Sequence, residues 1–136
     1  MAEKASFKIK GAKRLEKMLL QLGPEISRRI GQTALRKAAA PIVDRAKELA
    51  PYEYGKLREG ITSVSTRSTS DDALKRLVTV KGERAHIAHM VEEGTKHSAA
   101  HPFLRPAFDE TAGEAIQILG DEIANGIVRE VKRLSK

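Results

Sequence analysis

Apolar residues recur every three or four positions in three parts of the chain, the spacing that places them on one face of a helix. A short first helix ends at Gly23, and its apolar positions are Leu15, Met18, Leu19 and Leu22. A long second helix starts at Pro24, with apolar positions at Ile26, Ile30, Ala34, Ala38, Ile42, Ala46 and Leu49. A third helix runs from Pro106 onward, with apolar positions at Ala112, Ile116, Leu119, Ile123, Ile127, Val131 and Leu134.

Proline and glycine residues interrupt the two long helices. Pro41 removes one backbone hydrogen bond and clashes with the preceding turn, so we expect the second helix to curve or break near Ala38. Gly113, Gly120 and Gly126 each weaken the third helix by about 1 kcal/mol relative to alanine if they are interior. That helix is therefore expected to need a well-packed apolar face, for example against another subunit.

Alternating β-branched residues in two segments, ITSVSTR and LKRLVTVKG, predict a β-hairpin. The polar residues 67–73 between them predict a mobile loop. Residues 1–10 predict a flexible arm or a short strand, because apolar residues there alternate with lysines. The segment AHIAHMVEEG fits either a third strand or a short helix, and its spacing does not decide between them.

The order of these elements predicts a single α+β domain over residues 1–136. We expect a small antiparallel β-sheet, made of the hairpin plus one or two strands, packed by the long helix of the N-terminal half and the long C-terminal helix. The sheet face away from the helices must be polar or be covered by something outside this chain. That second face is a structural reason to expect oligomers.

Composition excludes several classes of site. The chain has no cysteine, which removes disulfides, thiolate zinc sites and thiol nucleophiles. With 5 aromatic residues and no tryptophan, the core must be built from isoleucine, leucine, valine and alanine. No apolar run approaches the roughly 20 residues of a membrane helix, and the first residues have no apolar stretch behind their positive charges, so we expect no signal sequence. We expect a protein that is made in the cytoplasm and has no membrane partner.

The formal net charge of +7 is concentrated in the first half of the chain. Residues 1–60 carry 14 Lys and Arg against 7 Asp and Glu, whereas residues 61–136 carry 11 of each. Arg29, Arg36 and Lys37 fall mostly off the apolar stripe of the long helix and are the candidate DNA-facing residues. The alternative is a solvated helix face that keeps a small protein soluble.

Four histidines, His86, His89, His97 and His101, lie close together with two glutamates between them. Histidine and carboxylate ligands can hold zinc, but three or four of them must converge. On a strand, the first two histidines would point to opposite faces. We therefore expect no metal site and no cofactor.

A metal-dependent hydrolase or nuclease is the rival from another functional class. It would combine carboxylates with a basic residue, and the candidates are Glu92, Glu93, Asp109, Glu110, Lys81 and Lys96. Adjacent glutamates cannot both face inward on a strand, and the chain has no nucleophile elbow, phosphate loop or dinucleotide fingerprint. We expect no catalytic residue and no enzyme. Nonspecific, salt-sensitive DNA binding is a second alternative.

Two segments in this order and spacing resemble the tail-completion or neck proteins of long-tailed bacteriophages. The first is APYEYGKLREGI, and the second, some forty residues later, is HMVEEGTKHSAAHPFLRPAFDE. They match that family's Ala-Pro, Gly-x-Leu-Arg pattern and its Val-Glu-x-Gly-Thr element followed by Pro-Phe-Leu-Arg-Pro-Ala. Glu93 departs from it, since an aromatic residue is common there, and so do the residues YEY before Gly55.

The resemblance implies a structural virion protein that forms a ring, commonly of six copies, at the head–tail junction. Its partners would be copies of itself, tail-tube proteins and head-side connector proteins, and DNA would pass through the ring. The residues of the subunit interface or structural motif would be Gly55, Leu57, Arg58, Val91, Glu92, Gly94, Thr95, Pro102, Phe103, Leu104, Arg105 and Pro106.

The second motif predicts a stiff joint between the sheet and the last helix. Gly94 permits a backbone turn, and the Thr95 hydroxyl can cap the residues after it. Pro102 and Pro106 stiffen the path into the helix, with Asp109 and Glu110 near its positive start. We expect Phe103 and Leu104 to be pinned over the hairpin. Arg105 is a candidate for a carboxylate pair with Glu92, and the alternative is a solvated side chain.

Overall fold

The computed structural model describes residues 11–51, 57–66, 74–82 and 84–135. Five helices and two strands follow one another as α1 (Ala12–Leu22), α2 (Pro24–Leu49), α3 (Leu57–Gly60), β1 (Ile61–Thr66), β2 (Lys75–Val80), α4 (Arg84–Glu93) and α5 (Leu104–Leu134). The predicted α+β class is confirmed. The predicted arm at residues 1–10 and the predicted loop at residues 67–73 lie outside the described residues.

Helix α2 is continuous from Pro24 to Leu49, although Pro41 lies inside it. Of the two expected alternatives, the break near Ala38 is wrong, and the curvature stays a prediction. Pro41 removes one backbone hydrogen bond, but the residues on either side are held by packing. Ala38 and Ile42 are both buried in a cluster with Ala115 of α5. Tertiary contacts on the buried side of the helix outweigh the local cost of the proline.

Helices α2 and α5 pack as an antiparallel pair that forms the spine of the molecule. Three ion pairs run along the two helices. Arg29–Glu130 joins the start of α2 to the end of α5, Lys37–Glu122 lies in the middle, and Arg45–Glu110 joins the end of α2 to the start of α5. Gly126 is buried against α2, where an added Cβ would lie 2.8 Å from Cγ2 of Ile30. The glycine thus permits close packing of the two helices.

The predicted apolar stripes are largely the observed ones. In α2 the buried residues include Ile30, Ala34, Ala38, Ile42 and Ala46. In α5, Ala112 and Ile127 are buried, but Val131 and Leu134 are 47% and 61% exposed. These two positions continue the apolar spacing but are not covered by α2, because Glu130 already lies opposite Arg29 near the start of α2. The last turn of α5 therefore lies where α2 begins, and α2 does not extend far enough to cover it.

Strands β1 and β2 form an antiparallel pair in the register Ile61↔Val80 to Thr66↔Lys75. Ile61 and Val80 are buried on the inner face, whereas Leu77 on the outer face is 51% exposed. The described ranges contain only these two strands. The segment that fitted either a strand or a helix forms helix α4, so the helix is the alternative that is confirmed. Gly82, with φ +76°, makes the turn from β2 into α4.

Candidate functional site

Glu92 joins helix α4 to helix α5. One carboxylate oxygen accepts the backbone N–H of Phe103 at 2.7 Å and of Leu104 at 3.0 Å, and the other accepts that of Arg105 at 3.0 Å. These are N–H groups of the first turn of α5, which have no partner within the helix. The first turn of α5 contains no acidic residue of its own, so Glu92 supplies both the acceptor and the negative charge that favours a helix start.

A tight turn after α4 brings the chain back toward this helix start. Gly94 has φ +80°, and an added Cβ would lie 2.9 Å from the backbone nitrogen of Ala100. The Thr95 hydroxyl accepts the N–H of His97 at 3.2 Å and of Ser98 at 3.1 Å. Glycine is required here both by the backbone angle and by the close approach, and the threonine hydroxyl caps the turn as the sequence suggested.

The turn is anchored to the core at its far end. The N–H of His101 donates to the carbonyl of Val91 at 2.8 Å. Phe103 is fully buried and shares one cluster with Val91 and with Ile61 and Val80 of the hairpin, while Leu104 is partly buried against it. Phe103 therefore fixes the start of α5 over the end of the hairpin. We name residues 91–107 the joint.

Arg105 is placed differently from the expectation. Both oxygens of Glu92 are engaged by backbone N–H groups, and Arg105 contributes its backbone N–H to them. Within the described ranges, its guanidinium forms no ion pair. Helix α5 also starts at Leu104 instead of Pro106, which places Asp109 beyond the first turn. Glu110 lies beyond it as well and pairs with Arg45, whose hydrogen bond holds the pKa of the Glu110 carboxyl below its ordinary value.

The first sequence motif meets the second in the folded chain. Leu57 of α3 is buried in the cluster that contains Val91 and Phe103. Arg58 donates from Nη2 to the carbonyl of Ala50 at 3.1 Å, which ties α3 to the end of α2. Gly55 lies outside the described residues. Two motifs about forty residues apart in sequence thus converge on one piece of core.

The histidines and acidic residues do not converge. His89 Nε2 lies 3.4 Å from an oxygen of Glu93, and both side chains are exposed. The argument that His86 and His89 face opposite ways assumed a strand, and it is wrong because α4 is a helix. In the part of the chain that the structure describes, no group of three or more metal-ligating side chains could hold an ion.

Two of the three candidate DNA-facing residues take part in interhelical ion pairs. Arg29 Nη2 lies 3.5 Å from Glu130, and Lys37 Nζ lies 3.2 Å from Glu122. Arg36 is exposed on α2. Part of the basic excess predicted to face DNA therefore helps to hold α2 against α5, by a modest amount because exposed ion pairs contribute little.

Sequence comparison identifies a family, and no solved structure matches the chain. None of the described helices is long and apolar enough to cross a membrane. The family described as "Bacteriophage HK97-gp10, putative tail-component" matches residues 11–94, more than half of the 136 residues. The match covers the first motif and ends at Gly94, inside the joint. The chain belongs to this family of phage tail components, and its class is that of a structural virion protein.

Proposed function

We propose that the protein assembles as a ring at the junction between phage tail and capsid, where it completes the tail or docks it to the head. The resemblance to tail-completion and neck proteins supports a ring of six copies. Its partners would be other copies of the chain, tail-tube proteins and head-side connector proteins. Membership of a phage tail-component family supports the structural role.

The observation that carries the proposal is a rigid scaffold that leaves apolar side chains exposed. The joint fixes the start of α5 to α4, and the buried cluster of Ala38, Ile42 and Ala115 packs α5 along α2. On this scaffold, Leu77, Val131 and Leu134 are about half exposed. Val131 and Leu134 are also neighbours at i, i+3 on α5, and contiguous exposed apolar side chains are typical of sites that are covered on assembly.

Neither rival gains support from the described residues. A metal-dependent hydrolase needs converging ligands, whereas Glu92 is engaged with backbone N–H groups and Glu110 with Arg45. Nonspecific DNA contact through Arg36 is compatible with a ring through which DNA passes. Its signature would be an affinity for DNA that falls steeply as salt rises, with no preference for sequence.

Native mass spectrometry and negative-stain electron microscopy test the ring directly. The purified chain is measured over a range of concentrations, alone and with tail tubes purified from the same phage. We expect a closed ring of about six copies, which forms at high concentration or only at the end of a tube. A chain that stays monomeric at the highest concentration and does not bind tube ends would refute the proposal.

A further inference from the structure

Charge is segregated along the antiparallel pair α2–α5. We call residues 24–32 and 125–135 the basic end, where the start of α2 lies beside the end of α5. This end carries five basic residues and two acidic ones, namely Arg28, Arg29, Arg129, Lys132 and Arg133 against Glu25 and Glu130. Arg129 and Lys132 are exposed and form no ion pair with any described residue.

On α5 the opposite end of the helix pair has the opposite sign, and the facing part of α2, residues 37–49, is close to neutral, with three basic and two acidic residues. Residues 106–122 of α5 carry five carboxylates and no basic residue. Asp109 and Glu114 are exposed there and have no ion-pair partner among the described residues. The joint places the end of α4, with exposed Met90 and Glu93, beside the start of this segment. We call residues 90–93 and 106–122 the acidic end.

Exposed apolar side chains accompany the charges at both ends. Val128, Val131 and Leu134 on α5 are exposed at the basic end, and Met90 is exposed at the acidic end. Nucleic acid would satisfy the arginines and lysines of the basic end but would leave these apolar side chains without a partner. A protein surface with an apolar centre and a complementary charged rim would satisfy both.

We infer that the basic end of one copy binds the acidic end of the next copy. The two surfaces differ, so the contact is head-to-tail, and such contacts close into a ring when the rotation between copies is right. The opposite charges would orient approaching copies and disfavour contact between like ends. The inference rests on the proposed ring and specifies which surfaces form its subunit contacts.

Site-directed cross-linking tests which ends meet, because the chain has no cysteine and every introduced thiol is unique. Met90→Cys and Val131→Cys are made separately and together, and a short bismaleimide is added to the full-length protein. The double variant should give a ladder of dimers, trimers and larger species. Each single variant alone should remain uncross-linked, and an equal mixture of the two should give only dimers.

Charge reversal gives an independent readout. Arg129→Glu with Lys132→Glu places two exposed carboxylates at the basic end, and Asp109→Lys with Glu114→Lys places two exposed lysines at the acidic end. We expect either variant alone to associate at least about tenfold more weakly, and an equal mixture to recover association as alternating copies. The matched control is Lys75→Glu with Lys81→Glu, two exposed charges beside the hairpin, which should leave association unchanged.

The outcomes separate this inference from the proposed function. If the unmodified chain forms rings, but the cysteine variants show no link between positions 90 and 131 or the charge reversals leave association unchanged, the head-to-tail contact is overturned and the ring is not. Dimers from Val131→Cys alone would show a two-fold contact between basic ends and would also overturn it. The absence of any oligomer, with or without tail tubes, would overturn both proposals.

Discussion

Substitution of Glu92 should destabilise the start of α5 far more than its position on a short helix suggests. In the folded chain its carboxylate accepts three backbone N–H groups, from Phe103, Leu104 and Arg105. Glu92→Ala leaves these donors without that acceptor in a partly buried site. Loss of a helix cap costs about 0.5–2 kcal/mol, and hydrogen bonds to charged groups contribute about 1.5–3 kcal/mol each.

Three bonds to one carboxylate are not additive, and water can satisfy the most exposed of them, so we expect the free energy of unfolding to fall by about 2–3 kcal/mol. Glu92→Gln keeps one oxygen acceptor and loses the charge, which should cost about half as much. Urea unfolding followed by circular dichroism measures both values. Native-state hydrogen exchange should show faster exchange at residues 103–105.

Glu93 provides the matched control, because it is adjacent in sequence and carries the same charge, but is exposed, and among the described residues its ion pair is with His89. Glu93→Ala should change the free energy of unfolding by less than about 0.5 kcal/mol. Equal effects of Glu92→Ala and Glu93→Ala would refute the reasoning, as would unchanged exchange at residues 103–105 in Glu92→Ala.

Two further predictions use matched pairs of positions on α5. Gly126→Ala should lower the free energy of unfolding by about 1–3 kcal/mol, because its Cβ would overlap α2. Gly113→Ala is the control, since the added atom meets open space, and it should raise the free energy of unfolding by up to about 1 kcal/mol. Equal effects of the two substitutions in thermal denaturation would contradict this account. The hydrogen bond from Arg45 lowers the pKa of Glu110 in the folded chain. The stability it contributes is therefore present above the ordinary glutamate pKa of about 4.3 and is lost as pH falls through the lower folded value. Glu110→Gln should weaken the loss of stability in urea titrations below about pH 4, and Glu114→Gln should leave that loss unchanged.

The turn chemistry of the joint could be predicted from sequence, because it depends on local backbone requirements. Gly94 and Thr95 do what the residue types alone suggest. The partner of Glu92 could not be predicted in the same way, since the nearby Arg105 offered an obvious charge. Only the position where α5 begins shows that backbone N–H groups need an acceptor there, and a helix boundary is the feature that periodicity determines least well.

Helical periodicity also predicted which face of each long helix is apolar, but not how far the covering extends. Val131 and Leu134 continue the spacing of the buried residues, yet they lie near the first residues of α2 and are exposed. Whether an apolar position is covered depends on the length and register of the other helix. The same limit applies to Gly126, whose cost in an isolated helix says nothing about the close approach that requires it.

The joint has a mechanical consequence for any contact made by α5. Glu92 lies within the residues that match the family, whereas the three amides it binds lie beyond them. Helix α5 is therefore held at its start by the joint and along its length by α2. If a neighbouring copy contacts Val131, it contacts a helix that the joint attaches to the hairpin. The orientation of the sheet relative to that neighbour would therefore be set by the same contact. In Glu92→Ala, the start of α5 is released while its pairing with α2 remains, which should leave assembled copies less uniformly oriented without abolishing the contact itself.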